Sequence, residues 1–330
     1  MWSWKNFRYF EFKFKTPKAK GYWVVKNKDS AISTLNYLNN TCEAKSVYSF
    51  DFKKLYTNLP HNKVLDKLGL LIKRCFDEKK SEFINISSTF RASWSNKEKG
   101  TWSLRLDDIL EMFNFLLDNI FVKFQSRIYK QVIGIPMGCS CAPQIADLFL
   151  YWYEHEYIAG EVTKCNYIVE FLRHCSRYID DLFIPNGTKQ IADIVCNRIY
   201  PLELQIVQTN VKNSSSTFLD LDVSVNNGVF SSKLYDKRRD FHFKVVSFPH
   251  LKANIPQSPA YGIFIGEVYR VCKSSSTDLA FINDVKLLIC KLCNQSFTSE
   301  ILYRKLSSFL KSKPACIAKF WRNFNVNDFK

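Results

Sequence analysis

Three aspartates stand where aspartate is least expected. Asp51 interrupts Val47-Tyr-Ser-Phe-Asp-Phe52, and Asp180 and Asp181 interrupt Arg177-Tyr-Ile-Asp-Asp-Leu-Phe-Ile184. Both segments are otherwise rich in β-forming and apolar residues, so a carboxylate there opposes strand propensity and burial alike. Taken singly, each has an ordinary explanation: an Asp at a strand end is usually a turn or cap residue, and an Asp pair at a hairpin is usually turn chemistry. Taken together, with a Gly- and Pro-containing loop between them, they point to a site. Clustered carboxylates need counter-charge, and a divalent cation is a strong source of it. Asp supplies hard oxygen ligands, which suit Mg²⁺ or Mn²⁺ better than Cys or His would. Two such ions ~3.5–4 Å apart stabilise both the attacking and the leaving oxygen of an in-line phosphoryl transfer. One Asp from a strand and two from a hairpin are the minimum for nucleotidyl transfer.

The flanking elements must bring these residues together. Val47–Phe52 is a short strand, and Pro60 soon after it opens a helix with an apolar face of Val64, Leu65, Leu68, Leu71, Ile72 and Cys75. Residues 77–103 are polar and predict an insertion or long loop. Leu106, Ile109, Leu110, Phe113, Leu116, Leu117, Ile120 and Phe121 then describe a strongly amphipathic helix. Gln131–Pro143 is a loop with two Gly and two Pro, leading into a helix that carries Ile145, Leu148, Phe149, Trp152 and Tyr153. Arg177–Ile184 is a hairpin with both carboxylates at or beside its turn. Alternation at Leu202, Leu204, Ile206 and at Leu219, Leu221, Val223, Val225 predicts further strands, and Asn227-Gly228 turns the chain into Val229–Tyr235. Earlier, Tyr22–Val25 reads as a short strand, and Asp29-Ser30 as the cap of a helix with Ile32, Leu35 and Leu38. Beyond residue 260 the pattern is helical, with starts at Asp278 and at Ser299-Glu300. Strands gather in hairpins with no βαβ run, so the class is α+β.

The 330 residues suffice for two or three packed subdomains, and 46% hydrophobic with 24% charged residues is a globular composition. The net charge of +16 favours a polyanionic partner, and the bases are spread along the chain as for a broad basic groove. Eleven scattered cysteines argue against a secreted disulfide framework and for a reducing compartment. Cys290-Lys-Leu-Cys293 has metal-ligand spacing, but no second Cys or His pair accompanies it, and it falls on a helical pattern. No apolar leader and no stretch approaching the ~20 apolar residues of a membrane span is evident, so a soluble protein is expected, with no membrane partner.

The residues quoted above have a family resemblance. Tyr178-Ile-Asp-Asp181 resembles the aromatic-x-Asp-Asp box of reverse transcriptases, and Asp51 in Phe50-Asp-Phe-Lys-Lys-Leu-Tyr-Thr-Asn-Leu-Pro60 resembles their preceding acid motif. Gly134-Ile-Pro-Met-Gly-Cys-Ser-Cys-Ala-Pro143 resembles the Gly-rich loop that lies between these two motifs. Thr217-Phe-Leu-Asp-Leu-Asp222 resembles the Phe-Leu-Asp run of Penelope-like retroelements, whose first motif and Met-Gly loop read similarly. The likeness covers roughly residues 46–240, in the right motif order.

That resemblance implies a right-hand polymerase with an antiparallel palm sheet, reduced fingers and a helical thumb. Its divisions are partial fingers or an N-terminal extension over 1–45, a palm with inserted fingers helices over 46–228, and a thumb-like region over 229–330. It implies catalysis by Asp51, Asp180 and Asp181, with Asp51, Asp180, Asp181 and the Phe52 carbonyl around two Mg²⁺ or Mn²⁺ ions. Tyr56 falls at the sugar-gate position, and Met137 and Gly138 at the template base or incoming nucleotide. The substrates implied are deoxynucleoside triphosphates, an RNA template and a DNA primer, in an intracellular setting that is nuclear for a genomic element. Lys237, Arg238 and Arg239, among aromatics, are candidates for holding nucleic-acid backbone. Two alternatives stay open: an inactive nucleic-acid-binding descendant of a polymerase, and an RNA-dependent RNA polymerase. The fingers region before Asp51 is short for the family, and many relatives have Gln where Met137 stands.

Overall fold

The computed structural model describes residues 23–162, 168, 172–243, 245–312, 314–320 and 323–330. Tyr22, Lys244 and the basic, aromatic stretch over residues 1–21 lie outside the described residues. The chain runs through α1 (Lys28–Thr41), β1 (Val47–Lys53), the single turn α2 (Leu55–Asn58) and α3 (His61–Lys79). Next come β2 (Phe83–Ile86), β3 (Ala92–Ser95), β4 (Trp102–Leu104) and α4 (Leu106–Asp118). A hairpin of β5 (Phe121–Phe124) and β6 (Arg127–Lys130) precedes α5 (Ala142–Val162), which is followed by β7 (Ser176–Tyr178) and β8 (Asp181–Pro185). The remainder comprises α6 (Lys189–Ile194), β9 (Gln205–Gln208), β10 (Ser215–Phe218), β11 (Leu221–Asn226), β12 (Val229–Leu234), α7 (Gln257–Ser274), α8 (Asp278–Cys293) and α9 (Ser299–Lys311). Helices and antiparallel strands are mixed, as α+β requires, and no described helix is long and apolar enough to cross a membrane.

The chain divides into two compact units. The first takes the stretch up to Val25, Phe50–Leu182 and Gly187–Gln208. The strands β7-β8-β1-β9 form a sheet in that order, with β1 antiparallel to β9 and Asp51 opposite Val207. Helix α3 buries Val64, Leu68, Leu71, Ile72 and Cys75 of the stripe that the spacing predicts, together with Phe76, while Leu65 is half-buried. Leu71 meets Tyr151 and Trp152 of α5, and the Arg74 guanidinium covers the Trp152 ring at 4.5 Å.

Residues 77–103 depart from the expected loop. α3 continues to Lys79, and β2, β3 and β4 then form an antiparallel sheet in the order β3-β2-β4. Phe83 and Ile84 are buried there, but strands of three or four residues diluted with Ser and Asn leave no readable period. The helix over 106–121 also ends early. It stops at Asp118, and Phe121 begins β5 instead, pairing with Lys130. Asn119 closes the helix by donating its backbone N–H to the Phe115 carbonyl at 3.1 Å.

The second unit takes Lys26–Ser49, Phe183–Asn186 and Thr209–Lys330. Its helix α1 is capped by Asn27, whose side chain accepts from the Asp29 N–H at 3.0 Å, rather than by Asp29-Ser30. The meander β10-β11-β12 turns at Asn227-Gly228, where both residues have positive φ, as a two-residue hairpin of this hand demands. Helices α7, α8 and α9 share a core with Phe264, Val268, Val285, Leu302 and Leu306, closed by Phe281 stacked on Phe320.

Candidate metal centre

Asp51 sits near the end of β1 and is half-buried, with the buried Phe50 and Phe52 as its neighbours in the strand. Asp180 and Asp181 occupy the turn and first residue of the β7–β8 hairpin. Since β8 lies beside β1 in the sheet, the two acid-bearing segments meet side by side. One ligand oxygen from each of Asp51, Asp180 and Asp181 lies within 4.8 Å of the others, and all three residues are half-buried. Among the described residues this is the group of acids, His or Cys with the spacing to hold an ion.

Electrostatics agree with the chemistry of the donors. Burial pushes the Asp51 carboxyl above the usual range, the neighbouring charge of Asp180 pushes it further, and the Phe52 backbone N–H offsets part of this. A cation shared by the cluster would relieve that unfavourable charge at Asp51. Three hard oxygen donors therefore fit Mg²⁺ or Mn²⁺.

The hairpin turn is held in an unfavourable conformation by a buried arginine. Ile179 has φ 57°, a left-handed backbone that a β-branched residue seldom adopts. Arg177 Nη1 donates to the Ile179 carbonyl at 3.0 Å and also to Asp147 of α5. Its Nη2 reaches Glu154 Oε2 and the Asp147 carbonyl, both at 3.2 Å, and its Nε donates to Glu154 Oε1. Tyr200 completes the set by donating to Glu154 at 2.8 Å. Arg177 and Glu154 have no exposed surface. Burial alone would lower the guanidinium pKa, but the charges of Glu154 and Asp147 outweigh it, and the arginine is held more firmly charged than usual. The backbone of Arg177 is pinned as well, between the Trp23 carbonyl and the Val25 N–H.

Arg177, Asp147, Glu154 and Tyr200 carry no assigned role in the sequence reading. The signal is nevertheless present: Asp147 and Glu154 stand seven residues apart and bracket the apolar run Leu148–Tyr153, so two turns place them on one side.

The remaining candidates distribute unevenly. Phe52 is buried, with its ring edge-on to Tyr200 at 4.9 Å. Tyr56 lies half-buried on α2, its phenol raised by burial and then by the negative charges of Asp180 and Asp147. The loop to α5 anchors on the same turn, with Ile135 N–H donating to the Tyr56 carbonyl at 2.6 Å. Gly134 is required there: its φ is +80°, and a Cβ would stand 2.6 Å from that carbonyl. Met137 is 73% exposed further along the loop, and Gly138 has open space where a side chain would be. Lys237, Arg238 and Arg239 belong to the second unit. There Arg238 pairs with Asp236 at 2.7 Å and Arg239 with Asp284 at 3.1 Å, while Lys237 is exposed. In the Phe-Leu-Asp run, Asp220 pairs with Arg270 at 3.1 Å and Lys28 at 3.4 Å.

No protein-family model and no curated protein matches the chain. Among solved structures, it is similar to a telomerase from Candida albicans in complex with a TWJ fragment of telomeric RNA, at 15% identity and a TM-score of 0.47, over 88% of this chain and 53% of that one. It is also similar to the apo telomerase from Candida tropicalis, at 13% identity and a TM-score of 0.45, over 91% and 48%. The telomerase from Candida tropicalis with a TWJ fragment of telomeric RNA gives 17% identity and a TM-score of 0.45, over 90% and 44%. The chain thus spans about half the length of these structures, and the likeness is loose.

Proposed function

We propose that the chain is the catalytic core of an RNA-directed DNA polymerase, which extends a DNA primer on an RNA template with deoxynucleotides. The observation that carries this reading is the meeting of Asp51 with Asp180 and Asp181, residues 129 and more positions apart in sequence, within 4.8 Å. Asp51, Asp180 and Asp181 would hold two Mg²⁺ or Mn²⁺ ions, with the Phe52 carbonyl as a further oxygen donor. Such ions supply charge stabilisation to the entering and leaving oxygens of phosphoryl transfer. The motif order and wording support a reverse transcriptase, nearest in wording to those of Penelope-like retroelements. In this reading residues 46–228 serve as palm with inserted fingers helices, 229–330 as thumb, and 1–45 as part of the fingers.

The chain's own residues divide the remaining work. Arg177 keeps the Asp180–Asp181 turn in register with Asp51. The Tyr56 ring, which feels the charge of Asp180, excludes a ribose 2′-hydroxyl, so deoxynucleotides are preferred over ribonucleotides. Met137 and Gly138 present an accessible loop to the template base or incoming nucleotide. Lys237, and Arg238 and Arg239 where their ion pairs open, meet nucleic-acid phosphates.

Primer extension on an RNA template with manganese or magnesium tests the reading. Asp51→Asn and Asp180→Asn are each expected to remove nearly all extension while leaving nucleic-acid binding intact. Extension by either variant at the parent rate would refute the metal-ligand role. No extension by the parent chain, with binding retained, would support the inactive nucleic-acid-binding reading instead.

A further inference from the structure

The loop into α5 contains a chemical feature that metal-ion chemistry does not use. Cys139 and Cys141 flank the exposed Ser140, and their Sγ atoms lie 3.1 Å apart. A disulfide bond is ~2.05 Å long, so the sulfurs are about 1 Å from bonding distance. The backbone already curls toward this geometry, because the Ala142 N–H returns to the Cys139 carbonyl at 3.1 Å and the Cys139 N–H to the Pro136 carbonyl at 3.0 Å.

We propose that Cys139 and Cys141 are a redox-active thiol pair, oxidised by hydrogen peroxide to a disulfide within the loop. Their environments assign the order of events. Cys139 is half-buried and reachable from solvent, whereas Cys141 is 1% exposed. The Cys141 thiol is pushed up to about 12, first by burial and then by its contact with Cys139, which keeps it protonated until a partner is presented. The Cys139 thiolate attacks one peroxide oxygen, the O–O bond breaks, and the departing hydroxide takes a proton to leave as water. The product is a sulfenic acid on Cys139. Cys141 Sγ then attacks Cys139 Sγ, the S–O bond breaks, and the Cys141 proton leaves with that oxygen as a second water. The two sulfurs together lose two electrons and the peroxide gains them. A ring closed over one intervening residue is short and strained, and strained disulfides are the readily reduced ones, so the bond is reversible by thiols.

The test is chemical and independent of polymerase activity. The native chain is treated with hydrogen peroxide, quenched, unfolded, alkylated with iodoacetamide and digested with trypsin. Gln131–Lys164 contains no internal Lys or Arg and carries Cys139 and Cys141 as its only cysteines. The expected peptide is unalkylated and two hydrogens lighter than the reduced form, and becomes doubly alkylated after dithiothreitol. In Cys141→Ser, peroxide should instead leave a Cys139 sulfenic acid that dimedone captures. Double alkylation of the parent peptide after peroxide would overturn the proposal. So would a cross-link from either residue to a different cysteine, or Cys139 over-oxidised beside an alkylated Cys141.

Discussion

A carboxyl held above its ordinary pKa by a neighbouring carboxylate is a statement about pH and about cations at once. Asp51 is in that position, through burial first and Asp180 second. Its protonated form is favoured by the fold, so this contribution to stability is present below the unfolded pKa and is lost as pH rises through the raised folded value. A bound divalent cation reverses the trend, because it needs the deprotonated side chains. Manganese is therefore expected to raise the melting temperature at neutral pH and to lose that effect progressively on acidification. At a hundred times its dissociation constant the gain is about 2.7 kcal/mol. Thermal denaturation of the parent and of Asp51→Asn reads this directly, and an equal manganese shift in both would exclude Asp51 from the site. Tyr56 belongs to the same scale. Tyr56→Ala is expected to admit ribonucleotides severalfold more readily, measured as the ratio of ribo- to deoxynucleotide incorporation. An unchanged ratio would leave the ring as packing on α2 only.

Elements differ in how plainly the sequence announces them. The β7–β8 hairpin was legible because two apolar runs bracket a polar turn, and α3 because six residues repeat at helical spacing. The β2-β3-β4 sheet was not, since its stabilising contacts join Phe83 to Ser95 and Ile84 to Leu104 rather than near neighbours. The β5–β6 hairpin was hidden for another reason: its aromatic and aliphatic residues extend the pattern of α4 but are solvent-exposed. The link between α5 and the acid hairpin is a buried charge set, and such sets are most sensitive to losing one partner. Arg177→Ala leaves Glu154 buried without its counter-ion, and a loss of about 3–5 kcal/mol is expected in urea denaturation. A loss below about 1 kcal/mol, the scale of a surface pair, would show that the arginine does not hold the turn.

For the molecule as a whole, a charge of +16 has one robust consequence. Binding to an RNA–DNA duplex is expected to weaken steeply with salt, with the logarithm of affinity falling by about 0.9 for each decade of salt and each phosphate neutralised. Fluorescence anisotropy across a salt series measures the slope, and a flat response would rule out backbone neutralisation as the source of affinity. The sequence by itself determined the mixed class, the hairpin, the main amphipathic helices and which three acids to suspect, because local periodicity and misplaced carboxylates are written in the order of residues. Only the tertiary structure decided that those acids converge, that Arg177 braces their turn through Asp147 and Glu154, and that Arg238 and Arg239 have acidic partners. Apart from the local pairing of Arg238 with Asp236, these are contacts between residues far apart in the chain, and distance in sequence carries no signal of proximity in space.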